Sequence, residues 1–105
     1  MKAKTVRIGS IDYEIVKKKD IAHPDSGASD GAIFFRKCEI HLWAQLSKQK
    51  QFEVFMHECL HGLVETAKIN IKDAAEEKMV RSLAPLLTSF LKDNWRLLQR
   101  MGELE

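Results

Sequence analysis

Residues 52–64 read FEVFMHECLHGLV, and their spacing decides the architecture. The apolar residues Phe52, Phe55, Met56, Leu60, Leu63 and Val64 recur at intervals of three and four, the period of an amphipathic helix and not the alternation of a strand. The polar run Ser47-Lys-Gln-Lys-Gln precedes this helix, which is expected to end near Lys68. Inside it His57, Glu58 and His61 form the pattern H-E-x-x-H. Four residues make about 1.1 helical turns, so the two imidazoles project from one side about 6 Å apart. That is close enough for both to bind one Zn²⁺. Glu58, adjacent to the first histidine, is badly directed to bind the same ion but can reach a water held on it, which gives two ligands and one base. Three polar side chains on a mostly apolar helix would be costly to bury without partners.

A catalytic zinc takes a third protein ligand and keeps a fourth position for water. The next acidic pair able to serve is Glu76 and Glu77, fifteen and sixteen positions after His61. They open a second helix, whose stripe Met79, Val80, Leu83, Leu86, Leu87, Phe90 and Leu91 has helical spacing. Asp73 and Glu76 have capping-box spacing, which would occupy Glu76 with the backbone and favour Glu77 as ligand, although the stripe alone accepts either. Pro85 is expected to kink this helix, and the tail after Trp95 is expected to fray.

Toward the N-terminus the period changes to two. Val6 and Ile8, then Ile11, Tyr13 and Ile15, flank Gly9-Ser10 and read as a hairpin. Residues Asp20 to Gly31 collect Pro24, Gly27 and several Asp and Ser, and read as a loop. Ile33–Phe35 and Cys38–Leu42 read as third and fourth strands, with Ile40 and Leu42 on one face and Glu39 and His41 on the other. The expected class is α+β: a small antiparallel sheet, the helix bearing His57 and His61, and a second long helix.

The chain has 105 residues, 45% hydrophobic and 30% charged, the balance of one soluble globular domain spanning 1–105. No apolar run reaches membrane-spanning length and the start lacks the apolar core of a secretory signal, so a cytoplasmic protein without membrane contact is expected. Cys38 and Cys59 are too few for a disulfide framework and read as reduced, packed thiols. A net charge of +2, with Lys17-Lys18-Lys19 the densest basic run, is too small to indicate specific nucleic-acid binding. His41 is a candidate oxyanion donor if it faces the site, and His23 is undecided. Tyr13 alternates with Ile11 and Ile15 as a core residue would. Cys59 lies about 160° around the helix from His57 and points into packing. Trp43, Trp95 and the phenylalanines at 34, 35, 52, 55 and 90 have the spacing of core residues.

His57-Glu-Cys-Leu-His61-Gly, a short connection, Glu76-Glu77, then Val80, Leu83-Ala84 and Leu91-Lys-Asp-Asn94 resemble the small zincin-type proteins encoded by bacteriophages and prophages. These are similar in their site to gluzincin metallopeptidases. The resemblance covers most of residues 4 to 94 and is strongest from His57 to Asn94. It implies His57, His61 and Glu77 as zinc ligands, Glu58 as general base, and a minimal zincin that hydrolyses peptide bonds. It also implies protein or peptide substrates, from the phage or its host, in the cytoplasm of a bacterial host cell. A sheet edge beside the site helix, where an extended peptide could add as a strand, is part of the same implication. The competing expectations are a zinc-stabilised binding protein of a mobile element acting on a host protein without turnover, and a nucleic-acid-associated factor using Lys17 to Lys19.

Overall fold

A computed structural model describes residues 4–19, 22–23, 27–28 and 30–103. Strands β1 (Thr5–Ile8) and β2 (Ile11–Lys18) pair antiparallel with Ile8 opposite Ile11. The two-residue connection puts Gly9 at φ 65°, and a glycine in the first position is what a tight hairpin with the native strand twist requires. Val6, Ile8, Tyr13 and Ile15 fall on one face of this hairpin and pack in the core, Tyr13 among them as its alternation foretold.

Within the segment expected to be a loop, Asp20 to Gly31, the described residues include paired strand pieces. Residues 20–21, 24–26 and 29 lie outside the described residues, as does the side chain of His23. The described pieces β3 (Ala22–His23) and β4 (Gly27–Ala28) pair antiparallel, and Gly31 already opens the next strand.

Strands β5 (Gly31–Phe34) and β6 (Glu39–Trp43) are antiparallel to each other, but β6 also lies parallel to β2, giving the order β1-β2-β6-β5. The sheet is therefore mixed and not antiparallel throughout. Residues 19–38 separate β2 from β6, a connection long enough for a parallel pair. The strand placed centrally is the one carrying Ile40, which is fully buried, and Leu42. Burying that strand between two neighbours removes more apolar surface than leaving it at an edge.

Helix α1 (Lys48–Ala67) starts at Ser47, whose side chain accepts from the Lys50 N–H at 3.2 Å, and ends where Lys68 turns left-handed at φ 57°. Cys59, with Val54 and Phe55, packs α1 onto the sheet, while Leu60 packs it onto Val80 and Ala84 of α2 (Asp73–Gly102). The molecule is thus an α+β stack of sheet, α1 and α2, in which, among the described residues, α2 packs on α1 and not on the sheet. No helix among the described residues is long and apolar enough to cross a membrane.

Two expectations for α2 are corrected, those for its tail and for its aromatic residues. The helix runs through Pro85 without a break and departs from helical geometry at Asn94 (φ −121°, ψ 16°). Pro85 lies on an exposed face, where water can satisfy the carbonyl that the missing N–H abandons. At Asn94 the side-chain amide donates to the Phe90 carbonyl at 2.9 Å, a local bond that competes with the helical ladder. The segment beyond Trp95 does not fray but stays helical to Gly102. Trp95 and Phe90 are more than half exposed, and Phe34 and Phe35 are also exposed, so these four do not belong to the core.

Candidate metal centre

His57 and His61 come from the stretch of α1 that lies between its two packing seams, and α2 crosses there with Glu76 and Glu77 in its first turns. The three residues His57, His61 and Glu77 offer ligand atoms that all lie within 4.8 Å of one another. The Glu77 carboxylate spans both rings: Oε1 is 2.9 Å from His57 Nε2 and Oε2 is 3.1 Å from His61 Nε2. Donors bound at about 2.0–2.1 Å to one tetrahedral ion are themselves about 3.3 Å apart. The two Glu77–histidine separations lie within a few tenths of an ångström of that edge, each through a different carboxylate oxygen, and with all three residues offering donors within 4.8 Å the set can contract onto one small ion. The two imidazoles stand edge to face with centroids 5.0 Å apart.

Glu76 does not cap the helix as its spacing suggested. The N-cap is Lys72, with no side-chain hydrogen bond, and Glu76 Oε2 accepts from His61 Nδ1 at 2.6 Å. This is the outer-shell arrangement in which a carboxylate on one ring nitrogen fixes the ring and presents the other nitrogen to a metal. Neighbouring carboxylates in sequence, about 100° apart on the helix, thus take different nitrogens of one ring. Burial works to lower the His61 pKa, but the Glu76 hydrogen bond and the charges of Glu58, Glu77 and Glu76 hold it above its ordinary value. His57 moves the other way, lowered mainly by burial and further by His61, against the pull of Glu77.

Glu58 is buried and faces the same cleft. Burial pushes its carboxyl up to about 7, with Glu77 adding to the rise and His61 opposing it. A carboxylate with that affinity for a proton can take one and return it near neutral pH. Cys59 points into the packing as expected, and burial, with the Glu58 charge adding, pushes its thiol up to about 12. That leaves it protonated and inert as a nucleophile or ligand.

The cleft has a volume of about 720 Å³ and is walled by Asp30 to Ile33 of the sheet edge, by α1, and by Arg81, Ala84 and Pro85 of α2. His41 does not face it. Ile40 and Leu42 point toward α1, so His41 lies on the opposite face of the sheet, bonded to Glu39 at 2.8 Å and with its ring tilted 54° against that of Phe34, centroids 4.6 Å apart. Arg81 is a cleft residue that the sequence reading passed over. Its Nη2 is 3.7 Å from Glu77 Oε1, one turn further along α2, and the i, i+4 spacing was the available signal.

With this geometry in place, comparison with known proteins finds no matching family model, no matching curated protein and no matching solved structure.

Proposed function

We propose that this chain is a zinc-dependent metallopeptidase of zincin type, hydrolysing peptide bonds in protein or peptide substrates. The observation that carries the reading is the convergence of His57, His61 and Glu77 on one point of a cleft whose wall also holds buried Glu58. Two imidazoles and a carboxylate suit zinc by donor type, and three protein ligands leave a position for water. A bound Zn²⁺ supplies a Lewis acid that polarises a carbonyl and lowers the pKa of water.

The chain's own residues do the rest. Glu58 takes a proton from the attacking water as its oxygen adds to the peptide carbonyl carbon and the C=O pair moves onto oxygen. It then delivers that proton to the nitrogen as the C–N bond breaks, so acid and amine leave without a covalent enzyme intermediate. Glu76 holds the His61 ring in place. Strand β5 supports a peptide substrate: among the described residues it is the last strand on its side of the sheet, the Trp43 N–H donates to the Asp30 carbonyl, and antiparallel alternation then turns the Ile33 N–H and C=O away from β6. An extended chain laid there would cross the cleft. The setting proposed with this reading is a phage or prophage protein in the bacterial cytoplasm.

A second reading, a zinc-stabilised binding protein acting on a host protein, is favoured by Leu83, Leu86, Phe90, Leu97 and Met101, which are exposed along α2. Glu58→Gln separates the two. In the enzyme it leaves zinc content and folding unchanged and lowers hydrolysis by several orders of magnitude, since base and acid are lost together. Full biological effect in a zinc-loaded Glu58→Gln chain would establish the binder in place of the enzyme.

A further inference from the structure

Hydrolysis at this centre leaves negative charge on the former carbonyl oxygen, and a donor aimed at that oxygen is worth a large share of the rate. His41, the side chain that the sequence offered for the task, is placed on the far face of the sheet, and Tyr13, the chain's one phenol, is buried in the core. Lys50 lines the cleft but is paired with Glu53 at 3.7 Å, and it sits seven residues before His57, about 10 Å along the helix axis. Arg81 is nearer. It lines the cleft one turn beyond Glu77, with Nη2 3.7 Å from the carboxylate oxygen that lies 2.9 Å from His57 Nε2.

Resting on the metallopeptidase reading, we infer that Arg81 is a further catalytic residue, the donor that binds the substrate's carbonyl oxygen as it becomes an oxyanion. A guanidinium suits the role because it stays charged and carries several N–H donors in a planar fork. In the free protein it is exposed and spends its charge on Glu77, an i, i+4 contact of small worth in water. Once Glu77 neutralises a bound cation, that contact weakens and the guanidinium can turn to the oxygen of a peptide in the cleft. The peptide also excludes water from the pair, which strengthens the new bond.

The test compares zinc-loaded wild type, Arg81→Ala and Arg81→Lys for hydrolysis of an unfolded protein substrate, and for binding of a peptide phosphinate, whose tetrahedral anionic centre mimics the adduct. Arg81→Ala should keep its zinc and its KM while kcat falls about 100-fold. Phosphinate affinity should fall by a similar factor, and Arg81→Lys should recover part of both. A zinc-loaded Arg81→Ala chain that holds the phosphinate as tightly as wild type would overturn this inference alone. Failure of the wild type to take up zinc would overturn the metallopeptidase reading and this inference with it.

Discussion

Glu76 and Glu77 are adjacent, chemically identical and equally acceptable to the apolar stripe of α2, yet the fold gives them different partners. Glu77 lies against the Nε2 atoms of both histidines, and Glu76 accepts from Nδ1 of His61. Their substitutions should therefore differ in degree. Glu77→Gln removes a donor and should abolish tight zinc binding, because a neutral amide is a poor zinc ligand. Glu76→Gln keeps all three donors but loosens one ring, and should weaken zinc affinity about 10- to 100-fold. Competition against a chromogenic chelator measures both, and the reverse ranking would make Glu76 the ligand. The sequence offered both members of this pair as the third ligand. It did not show which, because the difference is a rotation of about 100° about the helix axis.

At the scale of elements, the cleft depends on how closely β5 approaches α1. Gly31 is the point of contact: a Cβ built there would lie 2.5 Å from Val54 Cγ1, 3.1 Å from the His41 carbonyl oxygen and 3.6 Å from Glu58 Cγ. Val54 is β-branched and stiff, and the carbonyl belongs to the central strand, so neither yields easily. Gly31→Ala should destabilise the fold by about 1–3 kcal/mol through overpacking. It should also shift Glu58 and so lower turnover more than zinc content. Chemical denaturation together with metal analysis reads both effects, and a fully stable, fully active Gly31→Ala chain would show that the strand and helix are not held at this distance. The helices themselves were legible from spacing, including the end of α1 near Lys68. The departure from helical geometry at Asn94 was not, because no residue type there signals it as strongly as a proline would.

At the scale of the whole molecule, α1 joins two separate cores, one against the sheet built on Ile8, Tyr13, Ile40, Leu42 and Cys59, the other against α2 built on Leu60, Val80 and Ala84. Because, among the described residues, α2 packs only on α1, an ion held by His57, His61 and Glu77 would bolt the outer helix to the middle of the stack. Zinc at a hundredfold its dissociation constant should add about 2.7 kcal/mol to folding stability. In a domain of about 100 residues each kcal/mol moves Tm by about 4–8 °C, so a rise of roughly 10–20 °C is expected on metallation and its loss on chelation. The increment should shrink as pH falls: His61 has a raised pKa, so a proton competes with the ion for its nitrogen more strongly in acid. Thermal melts with and without zinc at two pH values check the size and the sign. A zinc-independent Tm at neutral pH would leave the cluster as a hydrogen-bonded helix contact and nothing more.

The sequence by itself determined the period of each segment, and with it the hairpin, both helices, the common face of His57 and His61, and the burial of Tyr13 and Cys59, since these follow from geometry within a few residues. It also set Ile40 and Leu42 opposite His41, and the histidine went to the far side once the two apolar residues turned toward α1. Only the tertiary structure decided that β6 enters the sheet between β2 and β5, and hence that the sheet is mixed, because strand order is set by which apolar faces can be buried together over long separations. Only the crossing of α2 over α1, fixed by Leu60, Val80 and Ala84, decided which carboxylate meets which nitrogen and brought Arg81 to the cleft.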